Sequence, residues 1–357
     1  MKITPIGYTK YLKRIHKSHM MLRQGKNLES LAVKSWEIEP GNITISPKAF
    51  FLDGQLDRIT HTEFENPISI MLGGATKNEP TRAYMLKNTW MIDGSIYKDL
   101  HRFVFHHCSK LSTRKYFFPP IIIDTEIDNA SIYNSYNGNY YFYSWLVDDC
   151  PLYQLAASVG DPVTTNIFAF SHTPEYENAL EMNPIRTNAA FMKKAIFFDD
   201  NWCNNIGKHE RFSANRNKLL SRFPGISHPG VFILRRDSGD IRIMINEMEI
   251  AEKLRDKYGF RIVDVTTQTA TEIISACVGA KILIGIEGSQ MAHGFVVLQP
   301  GASVIMLQPP YRFVGAMKVI TDMEDINYGF IVGIPKEQGF YINFEEVERT
   351  MELFPSI

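Results

Sequence analysis

From Val231 onward the chain alternates short apolar runs with stretches of helical period. Val231-Phe232-Ile233-Leu234 is a continuous apolar run that stops at Arg235 and Arg236. After it, Met248, Ile250, Ala251, Leu254 and Tyr258 recur at helical spacing. Asn246 stands before them as N-cap, Glu249 follows as its capping-box partner, and Gly259 lies past the end. A second strand is predicted over 260–265, a second helix over 269–279 and a third strand over 281–286. The turn Glu287-Gly288-Ser289 leads into a further helix, and 303–307 reads as a fourth strand. Alternation of this kind predicts a parallel sheet, which binds ligands at the carboxyl ends of its strands. Those ends carry Arg235, Arg236, Glu287, Gly288 and Ser289.

The rest of the chain divides around this region. Residues 1–128 read as an irregular, strand-rich extension merging into a first lobe, with strand-like runs at 43–45, 68–72 and 101–106. Residues 129–224 read as that first α/β lobe, with strands at 130–133, 163–170 and 195–198 and helices over 138–159 and 211–223. Pro224-Gly225 and His228-Pro229-Gly230 form two breaks close together, the best candidate hinge. Residues 225–335 form the nucleotide-binding lobe. In 336–357 a last helix starts near Asn343, with Glu346 completing a capping box, and crosses back to join the lobes. The fold class is thus α/β with two Rossmann-like lobes, and a cleft between lobes is a preferred ligand site.

Composition narrows the function. The net charge is −1 with 22% charged residues, so no global field favours nucleic acid. Four scattered cysteines without a C-x-x-C pair argue against a metal or disulfide framework and for a reducing compartment. No apolar run is long enough to span a membrane, and the N-terminus has no apolar segment of the secretory type. Residues 8–26 are basic, however, and Tyr8, Tyr11, Leu12, Ile15 and Leu22 fall among the cations at helix-like spacing. Such a helix either packs its stripe on the core or rests on an anionic membrane surface.

Chemistry concentrates in a few places. Arg235, Arg236 and Arg242 gather near one strand end and the helix that follows, which suits a diphosphate; the alternative is pairing with Asp237, Asp240 or Glu247. The turn Gly285-Ile286-Glu287-Gly288-Ser289-Gln290 lacks the second and third glycines of a dinucleotide fingerprint. Its Gly288 allows close backbone approach to a ligand, and its Ser289 can cap a helix and donate to phosphate. His293, one turn later, faces the same cleft or is a core histidine. Asp148 and Asp149 sit on the helix containing Trp145, Leu146 and Val147, where Pro151 suggests a break. A cleft carboxylate there can serve as general base; otherwise the pair is solvated or bound to lysines. Asp199-Asp200 ends a strand and is a weaker candidate. His106-His107 and Cys108 make a poor chelate, because neighbours in an extended segment face opposite ways, and are read as structural.

Together these residues resemble glycosyltransferase family 61. The likeness rests on Arg242, Asn246 and Glu247 in an R-x-x-x-N-E segment. It continues in Gly285, Glu287, Gly288, Ser289 and Met291 in a G-x-H-G-[SA]-x-[LM] turn, and in Pro300-Gly301 with Val304. The family's aromatic helix is matched loosely by Asn139 to Asp149. Two positions depart from it: Glu287 stands where a histidine is usual, and Phe142 or Tyr143 where another is common. The resemblance implies a GT-B-like fold and inverting sugar transfer from a nucleotide sugar to a hydroxyl of a glycan or lipid-linked glycan acceptor. Arg235, Arg236, Arg242, Asn246, Glu247, Gly288, Ser289 and His293 would contact the donor, and Asn139, Tyr140 and Tyr143 the acceptor side. Asp149 or Asp148 would be the base, with Glu287 as rival. No cofactor or divalent metal is implied, since arginines would stabilise the leaving diphosphate. The expected setting is surface-polysaccharide (capsule or lipopolysaccharide) synthesis in the cytoplasm, with peripheral contact at the inner membrane face through residues 8–26. The rival readings are a non-catalytic glycan-binding or assembly protein and a two-lobed sugar-nucleotide epimerase.

Overall fold

A computed structural model describes residues 28–63, 66–92, 95–98, 101–104, 123, 125–164, 170–187, 189–200, 204–236 and 242–355. The basic stretch 8–26, the His106–His107–Cys108 group and the Asp237 and Asp240 positions lie outside them. Strands in the first half are β1 (Lys34–Glu39), β2 (Asn42–Ser46), β3 (Gly74–Asn78), β4 (Thr81–Ile92), β5 (Ser95–Lys98), β6 (His101–Val104), β7 (Thr125–Ile132), β8 (Asp161–Thr164), β9 (Ile185–Arg186) and β10 (Ala189–Asp199). Then follow β11 (His228–Leu234), β12 (Arg261–Asp264), β13 (Ala280–Ile286), β14 (Ser303–Gln308) and β15 (Asn327–Val332). The helices that matter here are α1 (Pro67–Leu72), α2 (Cys150–Val159), α3 (Thr173–Ala179), α4 (Ile206–Arg222), α5 (Glu247–Tyr258), α6 (Ala270–Cys277), α7 (Ala292–Phe295), α8 (Ala316–Met323) and α9 (Phe344–Glu352).

The chain forms two compact units, neither continuous in sequence. The first comprises residues 1–40, 80–171 and 181–203; the second comprises 41–79, 172–180 and 204–357. Both flanks of the Pro224–Gly230 breaks fall in the second unit. There Pro229 opens β11, where its missing N–H is tolerated, and Gly230 leaves room for the Phe260 ring, which a Cβ would approach to 2.5 Å.

The first unit carries a mixed sheet in the order β6-β5-β4-β10-β7-β8-β9, with β1 also on β4. Strand β10 is its spine, pairing antiparallel with β4 and parallel with β7. Its burial follows from Ala190, Met192, Ala195 and Phe197, which pack with Leu86, Ile132 and Val163. Only β10, β7, β8 and β9 form a parallel set, so only that half of the sheet is compatible with the Rossmann-like reading, and the antiparallel half departs from it. The 138–159 helix is realised as a turn at Phe142–Ser144, a π-helical segment Trp145–Asp149 and then α2. Pro151 supplies the reason. Lacking an N–H, it cannot continue the regular ladder, and a π-turn absorbs the loss without breaking the helix.

The second unit holds a wholly parallel sheet in the order β12-β11-β13-β14-β15. Its apolar runs are buried on both faces, as helix-covered parallel strands require. Helix α5 seats Ile250, Ala251 and Leu254 on the core and ends at Gly259 in the left-handed region (φ 74°). The expected capping box at its start is absent: the Asn246 side chain makes no cap bond. Its amide instead clasps Ile342 from both sides, Nδ2 to the carbonyl at 2.8 Å and Oδ1 from the N–H at 3.1 Å. A full box does occur at Thr269 and Glu272 on α6. The 68–72 run, expected as a strand, is α1: Pro67 at its first turn and Gly73 after it are helix punctuation that outweighs a short apolar run. Helix α9 is capped by Asn343 onto the Glu345 N–H, while Glu346 is not part of a box and pairs with Arg58. It packs on the sheet of its own unit through Val347.

Candidate active site

The chain order reverses at β11, which has β12 on one side and β13 on the other. The carboxyl ends of the strands flanking such a switch point, here β11 and β13, are where an open α/β sheet takes its ligands. Arg235 follows β11 and Glu287 follows β13, so the sheet itself brings them together. Arg235 is 3% exposed; its Nη1 donates to Oε1 of Gln290 at 2.8 Å and to the Glu287 carbonyl at 3.3 Å. Arg242 Nη1 donates to the same carbonyl at 3.0 Å, and its Nε lies 3.2 Å from the Glu287 carboxylate. Arg312 completes the group, with Nη1 2.9 Å from that carboxylate.

Arg312 comes from the loop after β14, which prolines 309 and 310 end by withholding ladder N–H groups. The loop is pinned by backbone bonds from Thr60 to Pro310, from Phe313 to His61 and from Glu63 to Phe313. Two guanidiniums therefore meet one close carboxylate and a third meets the carbonyl of the same residue, with Glu63 3.9 Å from Arg312 as a more exposed second carboxylate. Guanidiniums gathered at strand ends and largely buried are an arrangement that can attract an anion.

The neighbours of the cluster set its geometry. Gly288 gives room to protein rather than directly to a ligand: a Cβ there would lie 1.7 Å from Arg235 Nη1. Gln290, buried, also donates to the Ile286 carbonyl at 2.5 Å and so fixes the acceptor that holds Arg235. Glu247 turns back onto the end of β11, accepting from the N–H groups of Arg235 (2.5 Å) and Arg236 (3.3 Å). Burial raises its pKa despite those bonds. Arg236, in the left-handed region at φ 49°, points away from the cluster and pairs with Asp264 at 3.2 Å.

Ser289 opens a 3-10 turn leading to α7. His293 on α7 is a core histidine, 1% exposed, with Nδ1 2.7 Å from the Tyr176 hydroxyl and its ring against His172. Burial, then the nearby His172, hold its pKa well below the ordinary imidazole value. Among the described residues no group of three metal-ligating side chains occurs.

The first unit presents a second constellation at the carboxyl end of β7. Asp149, 1% exposed, accepts from the Ser135 N–H at 3.0 Å. The turn over it depends on Gly138, where a Cβ would lie 1.8 Å from the Asp149 carboxylate. Gly138 in turn donates to the Ser135 hydroxyl at 2.9 Å. Asp148 beside it is half-buried. Asn139 is buried, Tyr143 half-buried, and Tyr140 and Tyr141 are exposed with rings 4.6 Å apart. Asp200 is engaged elsewhere, accepting from the Thr81 hydroxyl at 2.5 Å.

The sequence profile of the family described as glycosyltransferase 61 matches residues 87–305, more than half of the chain. The chain belongs to glycosyltransferase family 61. Membership indicates a glycosyltransferase, whose substrates are of the nucleotide-sugar and glycan kind. No curated protein matches the chain. The matched stretch contains Arg235, Arg242, Glu287, Gly288, Asp148 and Asp149 but ends before Arg312. Sequence reasoning missed Arg312 and the clamp role of Gln290. Arg312 follows a strand, as Arg235 does, and that signal was available; the Gln290 contact is a fact of packing with no pattern to announce it.

Proposed function

We propose that this family 61 member transfers a sugar, with inversion, from a nucleotide-sugar donor to a hydroxyl of a glycan or lipid-linked glycan acceptor. The observation that carries the reading is the convergence of Arg235, Arg242 and Arg312 at the switch point of the parallel sheet. In the reaction the acceptor oxygen attacks the anomeric carbon opposite the nucleotide. The bond to the phosphate oxygen breaks, and negative charge grows on the departing diphosphate. Guanidiniums already in place stabilise that charge with no reorganisation, which is electrostatic preorganisation, and a divalent metal is not invoked.

The acceptor's proton goes to a carboxylate of the Asp148–Asp149 pair, and we favour Asp149 because a backbone N–H orients it. Glu287 is the rival base, but its carboxylate already serves Arg242 and Arg312. Exposed Tyr140 and Tyr141 offer aromatic faces to a sugar acceptor. The two units would be the lobes of a GT-B-like enzyme, the second taking the donor and the first the acceptor. Capsule or lipopolysaccharide assembly in the cytoplasm, with residues 8–26 resting on the inner membrane face, is the setting this reading favours. Among the described residues no helix is long and apolar enough to cross a membrane.

The test is a panel of nucleotide sugars incubated with the protein and glycan acceptors, with and without a metal chelator. The reading expects release of one nucleoside phosphate, lost in Arg235→Ala and unaffected by the chelator. No donor consumed by folded protein with any acceptor would count against it.

A further inference from the structure

Glu287 is the residue on which the whole arginine cluster closes. Its carbonyl oxygen accepts from Arg235 and Arg242, and its carboxylate contacts Arg242 and Arg312. A carboxylate at the centre of an anion site needs an explanation, because it repels the ligand that the surrounding cations attract.

Guanidiniums held close together and largely out of water repel one another, and buried charge without a counter-ion is strongly destabilising. The Glu287 side chain, 5% exposed, supplies that counter-charge when no ligand is present. Arg235 and Arg242 have anchors besides it. Arg235 is held by Gln290 and by the Glu287 carbonyl, and Arg242 by the same carbonyl. The backbone around Arg312 is pinned to residues 60–63. Removing the side-chain charge would leave each of these anchors intact.

We propose that Glu287 is a resident counter-anion: its carboxylate occupies a position for an anionic oxygen of the ligand, and diphosphate binding displaces it. Arg312, whose close partner is that carboxylate, is then the third guanidinium to engage the phosphates. This rests on the donor-site reading above and adds to it. The displacement sets a ceiling on donor affinity and releases product diphosphate more readily, since the carboxylate competes to return.

The test is calorimetric titration with inorganic pyrophosphate, at one fixed ionic strength, of wild type, Glu287→Gln and Arg312→Ala. Removing a like charge beside the bound anion should tighten pyrophosphate about tenfold in Glu287→Gln. The same variant should melt lower than wild type without ligand and gain a larger rise in melting midpoint when pyrophosphate is added. Arg312→Ala should bind about tenfold more weakly. If wild type binds and Glu287→Gln binds equally or more weakly, Glu287 merely organises the arginines; the counter-anion proposal then falls while the anion site stands. Should Glu287→Gln not fold, Arg312→Ala still decides, because unchanged affinity there overturns the proposal. No binding of pyrophosphate by wild type or any folded variant would overturn the donor-site reading together with it.

Discussion

Replacing Gly288 by alanine probes the packing that positions Arg235. The new methyl would lie 1.7 Å from Nη1 of Arg235 and 2.4 Å from Oε1 of Gln290, so the guanidinium has to leave. Leaving gives up its bonds to Gln290 at 2.8 Å and to the Glu287 carbonyl at 3.3 Å. Hydrogen bonds from a charged donor are worth about 1.5–3 kcal/mol each, and solvent returns part of that to the displaced group. A net loss of about 2 kcal/mol is expected, seen as a fall of about 4–8 °C in the melting midpoint. Nucleoside-diphosphate affinity should drop at least about tenfold, or ~1.4 kcal/mol. Thermal melts and calorimetry on Gly288→Ala, Arg235→Ala and the double variant form a complete cycle. With Arg235 already truncated that clash is gone, leaving the backbone strain of alanine at φ 157° and the turnable amide of Gln290, so the second substitution should cost less than it does in wild type. A coupling of about 1–2 kcal/mol is expected. Strictly additive losses would refute the packing argument.

Asp149→Asn keeps an acceptor for the Ser135 N–H and should lower the transfer rate by about 10²–10⁴ while donor binding is unchanged; an active Asp149→Asn with an inactive Asp148→Asn would move the base to the neighbour. Tyr140→Ala and Tyr141→Ala should raise the acceptor KM with little effect on donor KM, as steady-state kinetics at saturating donor would read. For pH, His293 stays neutral in the folded protein because burial, then His172, depress its pKa. As pH falls through about 6.5 the unfolded chain takes up a proton that the folded chain refuses, so stability falls by up to about 1.4 kcal/mol per pH unit. His228, lowered chiefly by burial, acts in the same direction. Glu175 acts lower: burial pushes its carboxyl up, but bonds from Thr271 and Ala270 prevail and hold it below its usual value. Its stabilisation is therefore present above the unfolded carboxyl pKa and is lost only in stronger acid. Melts of wild type and His293→Gln between pH 7 and 5 should differ in slope; parallel curves would contradict this assignment.

The second unit was legible in the sequence because its strands are buried on both faces and its helices on one. Apolar runs 231–234, 281–286 and 303–307 contrast sharply with helix-period stretches between them, and Gly259 marked an end. Local signals failed where tertiary partners compete for the same side chain. Asn246 had the composition of a cap but clasps Ile342, and Glu346 pairs with Arg58. Neither partner is near in sequence. In the first unit the long β4–β10 antiparallel pairing was not foreseen, since register between segments a hundred residues apart leaves no local trace. The site followed the same division. Arg235, Arg242 and Glu287 were found from strand ends and motif, whereas Arg312, Gln290 and the true occupant of the space at Gly288 emerged only from packing.

The central claim is that the arginine cluster holds the diphosphate of a sugar donor. Its most direct measurement is calorimetric titration of nucleoside diphosphates into wild type and into Arg235→Ala, Arg242→Ala and Arg312→Ala, each first shown to be folded. The account expects one nucleoside diphosphate to bind wild type, and each arginine variant to weaken it about tenfold or more. Undiminished binding in all three variants would contradict it.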